Sequence, residues 1–133
     1  MTTPKSSLSV GEVFCSALAE SRDVTDLVGS VIPAIGENQD QPLPYISFRR
    51  IKLEATPQKS GQPGADIIQE ELLCCTDNYD EGIKIAEAVR AALDCQRHES
   101  DGLKMRACWL ADSEETRKNG IYIQRMVFNA KFQ

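Results

Sequence analysis

From Tyr79 to Leu93 the chain holds Ile85, Ala86, Val89, Ala92 and Leu93 at helical spacing, behind an Asp77-Asn78 pair of which either residue can cap the first turn. A helix of that length spans roughly 22 Å. Runs rich in β-formers lie on both sides of it. Tyr45 to Leu53 and Ile67 to Thr76 precede it. After it, Leu103, Met105, Ala107 and Trp109 alternate with polar neighbours, and Tyr122, Met126, Phe128, Ala130 and Phe132 share one face of a last run. Two hairpins separated by a helix predict a mainly antiparallel sheet with helices stacked on its apolar side.

An earlier helix is expected over 9–21. Ser9 and Glu12 have the spacing of a capping box, Leu8 and Val13 that of a hydrophobic staple, and Val10, Val13, Phe14, Ala17 and Leu18 form an apolar stripe. Asp23 can cap a short turn through Leu27-Val28, and Gly29 is expected as a left-handed stop before an extended piece, Val31-Ile32-Pro33. Loops are expected from Gly36 to Pro44, from Asp94 to Gly102 and from Asp112 to Gly120. The fold class that follows is α+β: a two-layer sandwich with a mainly antiparallel sheet of four to five strands, two helices on one face, and the order α-β-β-β-α-β-β. One domain fills 1–133, with a flexible N-terminus over 1–7 and a mobile hairpin loop over 55–66. Phe14, Leu18, Ile85, Val89, Leu93, Trp109, Met126 and Phe128 are the expected core.

A chain of 133 residues that is 41% hydrophobic and 26% charged is the size and composition of an ordinary single domain. Its formal charge of −5 repels phosphate backbone, which argues against general nucleic-acid binding. No run is apolar for the roughly 18 residues of a membrane span, and the first residues lack the apolar core of a signal peptide, so a cytoplasmic site of assembly and no membrane partner are expected. The five cysteines, Cys15, Cys74, Cys75, Cys95 and Cys108, are odd in number and read as reduced, buried packing residues.

Little in the sequence assembles a reaction centre. His98, the one histidine, stands beside Glu99 with no nucleophile at a telling distance. The cysteine spacings do not match a zinc site, and Gly61-Gln62-Pro63-Gly64 is neither a Walker loop nor a dinucleotide fingerprint. Glu70-Glu71 and Glu114-Glu115 are not held at the separation two-carboxylate chemistry needs. Arg49-Arg50 with Tyr45 and Phe48 sketch a single-stranded nucleic-acid platform, but no matching aromatic pair follows on the next strand. No catalytic residue, cofactor or metal is expected. Polar residues from the set Arg49, Arg50, Lys52, Glu70, Glu71, Lys104, Arg106, Arg125 and Lys131 should line the face away from the helices, covered by water or by another subunit.

Several short motifs in a fixed order point further. Leu27-Val28-Gly29 leads to Val31-Ile32-Pro33, and Leu43-Pro44-Tyr45-Ile46-Ser47-Phe48 runs into Arg49-Arg50-Ile51. The strand from Glu70 to Thr76 continues into Asn78-Tyr79-Asp80-Glu81-Gly82 and the helix Ala86-Glu87-Ala88-Val89-Arg90-Ala91-Ala92-Leu93. Over most of its length the chain resembles the bacteriophage tail-completion and tail-terminator proteins, which join heads to tails. The resemblance implies a non-enzymatic structural protein in the virion tail, assembled in the host cytoplasm. Its partners would be itself, in a ring that is commonly a hexamer in such families, the major tail-tube protein below and a head-completion or connector protein above. The ring would end tube polymerisation and offer the head-joining surface, without direct sequence-specific contact to nucleic acid. Arg49, Arg50, Glu70, Glu71 and Arg125 are the residues expected at the subunit contact. The rival readings are a small-molecule-sensing α+β module with a pocket between helix and sheet, and a small cytoplasmic enzyme with a titratable cluster near His98 or Cys95.

Overall fold

The computed structural model describes residues 5–34, 41–56 and 65–132. A 3-10 turn (Ser7–Ser9) is followed by α1 (Val10–Glu20), α2 (Arg22–Leu27), β1 (Ser30–Pro33), β2 (Tyr45–Ala55), β3 (Asp66–Thr76), α3 (Tyr79–Leu93), β4 (His98–Ser100), β5 (Leu103–Lys118) and β6 (Ile121–Phe132). The strands form one sheet in the order β1-β2-β3-β6-β5-β4, with β1 parallel to β2 and every other neighbouring pair antiparallel. The α+β class stands. The expected sheet of four to five strands with two helices is corrected to a six-stranded mixed sheet with three helices.

Both added elements come from polar sequence. Ser21 caps α2, its hydroxyl accepting from the Val24 N–H at 3.3 Å, where Asp23 was expected to cap a mere turn, and the helix ends on extended Val28 with Gly29 outside the left-handed region expected of it. β4 lies inside the stretch read as a loop and returns into β5 through Asp101-Gly102, with φ of 53° and 84°. Two successive positive φ values are the signature of the type I′ hairpin turn, in which glycine carries no steric penalty.

At the start of α1 the expected capping box does not form. Ser9 has φ −91° and ψ 21°, outside the extended region a capping residue adopts, because the 3-10 turn capped by Ser6 already leads into the helix. Glu12 pairs instead with Lys5, and Leu8 is 62% exposed, so no staple closes on Val13. Of the segment 1–7, residues 1–4 lie outside the described residues, while Ser7 is buried. Residues 57–64 of the loop expected over 55–66, and residues 36–40 of the loop from Gly36 to Pro44, also lie outside them. At α3 the Asn78 side chain accepts from the Glu81 N–H at 2.9 Å, and the helix runs from Tyr79 to Leu93 as its stripe requires.

All three helices cover one face of the sheet. Val10, Val13, Phe14, Ala17 and Leu18 of α1, Val24 of α2, and Ile85, Val89 and Leu93 of α3 are buried against Ile46, Ile68, Leu72, Met126, Phe128, Ala130 and Phe132. The Phe14 and Phe128 rings meet at 6.3 Å and 53°, within the range favoured by aromatic pairs. Gly11 lets α1 approach β2 closely: a Cβ there would stand 2.7 Å from the Phe48 ring. Burial of each large side chain contributes roughly 1.5–3 kcal/mol, so this face supplies most of the cohesion. No helix among the described residues is long and apolar enough to cross a membrane.

Trp109 is the exception in the expected core, at 40% exposure. The pairing of β5 with β6 shifts register between Met105 and Ala107, which marks a bulge at Arg106. One extra residue reverses the alternation, so Cys108 follows Met105 inward and Trp109 turns to the other face. The expected polar loop from Asp112 to Gly120 is also corrected. β5 continues to Lys118 and turns through Asn119-Gly120, with φ of 54° and 78°, directly into β6. Residues 111–120 are all exposed, so no apolar alternation betrays the strand.

Candidate functional site

The face of the sheet opposite the helices is built from alternate residues of β2, β3, β6 and β5, and its charges are organised around one carboxylate. Glu71 lies directly across from Arg49 on β2 and Val127 on β6, and Arg125 comes from one pleat further along β6. The Arg49 Nε donates to Glu71 Oε1 at 3.2 Å and the Arg125 Nε to Glu71 Oε2 at 2.7 Å. The Arg125 Nη1 reaches Asp112 Oδ2 on β5 at 3.4 Å. Asp112, Arg125, Glu71 and Arg49 thus alternate in sign from β5 to β2. The Glu71 carboxylate, through its hydrogen bond, holds the Arg125 guanidinium more firmly protonated than usual. Trp109 stands on the same face, opposite Asn129.

Glu70 and Arg50 belong to the other side. The pleat directs Glu70 toward the helices, where it is fully buried and neither carboxylate oxygen has a hydrogen-bond partner among the described residues. Burial pushes its pKa from an ordinary 4.5 up to about 7, against the pull of Arg50. The Arg50 guanidinium donates to the Leu8 carbonyl at 2.8 Å. Of the five residues expected at a subunit contact, the fold therefore gathers Arg49, Glu71 and Arg125 on the open face and sends Arg50 and Glu70 to the helix side. Asp112 joins the cluster. The Asn119-Gly120 dipeptide is the sequence signal that could have placed it, by extending β5 past the position.

His98 sits in β4 with its Nε2 3.1 Å from Ser16 Oγ and its Nδ1 3.5 Å from Glu20 Oε2. The order carboxylate, imidazole, hydroxyl matches a nucleophile relay, but Ser16 lies inside α1, where backbone N–H groups are spent on the helix and cannot stabilise an oxyanion. The contact ties β4 to α1. All five cysteines are free. Burial pushes the Cys74 and Cys108 thiols up to about 12, which makes them poor nucleophiles, while Cys95 is exposed, contrary to the expectation that all five are packing residues. Among the described residues no group of three or more His, Cys, Asp or Glu is placed to hold a metal ion.

No protein-family model and no curated protein matches the chain. Among solved structures it is similar to a chain in the virion of a native gene transfer agent particle, with 18% identity over 92% of this chain and 93% of that one, and a TM-score of 0.78. At that identity the likeness is one of fold, and it extends nearly end to end through both chains.

Proposed function

We propose that this chain is a structural component of a phage-type virion and acts as a tail terminator: its copies form a ring on the tail tube, stop tube growth and present the surface that the head joins. The observation that carries this reading is the nearly full-length fold shared with a chain of a gene transfer agent virion. The order of sequence motifs that resembles tail-completion proteins supports it independently, as does an open sheet face whose charges alternate in sign. A subunit of this kind needs complementary surfaces and no reaction centre. Its partners are further copies of itself, the tail-tube protein and the head connector. Deleting the gene and imaging the particles tests the proposal. Unjoined heads and tails of abnormal length are expected, and normal tails joined to heads in the deletion strain would overturn it.

A further inference from the structure

Behind the 3-10 turn that leads into α1 is a small cleft walled by Val10, Pro33 and Phe48, with Arg50 and Glu70 on its lining. Arg50 and Glu70 are direct partners across β2 and β3, on the helix side of the sheet. At such a position Cβ atoms lie roughly 4.5–5.5 Å apart, an easy reach for a guanidinium and a carboxylate. No ion pair closes between them. The Arg50 Nη1 donates instead to the Leu8 carbonyl at 2.8 Å, and both Glu70 oxygens are left without a partner among the described residues. In this conformation the guanidinium serves the carbonyl and not the carboxyl.

Which group Arg50 serves depends on the proton carried by Glu70. A neutral carboxyl loses only hydrogen bonds when it is buried unpaired, whereas a buried carboxylate without a partner costs far more. The ionised form has one charged neighbour to turn to. Phe128 stands opposite Glu70 on β6, and Val10 and Gly11 border the cleft from α1, none of them charged. Glu12, next along α1, pairs with Lys5, and Arg49, which also borders the cleft, bonds Glu71 on the far face. Arg50 is the group whose charge pulls on Glu70.

We infer that Arg50 is a proton-operated latch: it holds the Leu8 carbonyl, and with it the turn Ser7–Ser9, against β2 while Glu70 is protonated, and swings inward to the carboxylate, releasing the turn, when Glu70 gives its proton to water. The Leu8 side chain is exposed and gives the turn no apolar anchor, so the bond to its carbonyl matters to the attachment. Burial sets the change near pH 7, with the latch closed below and open above. It is a property of the single chain and does not depend on the ring proposed above.

NMR titration of the folded full chain, from about pH 5.5 to about pH 8.5, tests the latch. The carboxyl carbon of Glu70 and the carbonyl carbon of Leu8 should shift together, with one midpoint of about 7. The Ser9 and Val10 amides, bonded to the Ser6 and Ser7 carbonyls, should lose about tenfold in protection from exchange over the same range, once intrinsic rates are divided out. In Glu70→Gln the Leu8 signal and the protection should keep their acid values throughout, which also excludes His98, the one histidine, as the source of the change. In Arg50→Gln the turn should be released at every pH, and Glu70 should titrate at a higher pH because the pull of Arg50 is gone. A Leu8 signal that stays constant while Glu70 titrates, or a Glu70 that does not titrate in this range, would overturn the latch. So would a Leu8 transition that persists in Glu70→Gln. Should Glu70→Gln fail to fold, as its melting curve would show, Arg50→Gln decides: a Leu8 transition that survives without the guanidinium would overturn the proposal.

Discussion

Glu70 and Glu71 are adjacent, chemically identical and on the same strand, yet they live in opposite worlds. Glu71 faces away from the helices, and two guanidinium groups occupy its oxygens. Glu70 faces the helices among Val10, Phe48 and Arg50, and neither of its oxygens is bonded. The period of two along a strand puts a charge that is fully matched next to one that is not. The matched one belongs to the open face, where Arg49 and Arg125 flank it. The unmatched one is a standing cost carried by the apolar side.

If the helix-covered face supplies the cohesion, its large side chains must dominate any stability comparison with the open face. Leu93→Ala should lower unfolding free energy by about 2–5 kcal/mol, measured by denaturant titration. A midpoint equal to the parent's would mean that α3 is not docked as described.

The next effect isolates Glu70. Folding raises its pKa, so the folded state holds the proton more tightly than the unfolded chain does. The associated stabilisation is whole below pH 4.5 and is lost as pH rises to about 7. Over that window the loss is on the order of 3 kcal/mol. Glu70→Gln should flatten this dependence and exceed the parent's stability by about 1–3 kcal/mol above neutrality, with no advantage in acid. Melting curves at a series of pH values decide it, and a parallel offset at every pH would refute the assignment.

Glu71→Gln gives the smallest effect, about 1 kcal/mol, because Arg49 and Arg125 are partly exposed and water replaces the lost partner. Its stability should also become less sensitive to salt than the parent's. A loss rivalling that of Leu93→Ala would show that the open face contributes far more to the monomer than its geometry implies.

Sequence reasoning reached much of the helix-covered side. The Asn78 cap and the five-residue stripe placed α3 to the residue, and the runs at Tyr45 and Ile67 located β2 and β3 to within two positions, because apolar periodicity reports directly on burial. The open side was read less well. An inserted residue such as Arg106 has no chemical signature, so the reversal at Trp109 was invisible. The outer half of β5 is wet on both faces and read as loop, although Asp101-Gly102 and Asn119-Gly120 both announce hairpins. Of the five expected contact residues, Arg49, Glu71 and Arg125 share the open face and Arg50 and Glu70 lie on the other, because adjacent residues of a strand point to opposite sides.

The Asn119-Gly120 turn also sets an order in time. β5 and β6 are joined by two residues and need no distant partner, and hairpins of that kind close in about 1–10 μs. β3 must find β6 across the whole of α3, β4 and β5, and it pays the entropy of closing that long loop before any contact rewards it. The hairpin should therefore be present in the folding transition state, with β2 and β3 arriving afterwards. Substitutions within 112–125 should then slow folding, whereas those in β2 should mainly speed unfolding, a distinction that stopped-flow kinetics can read.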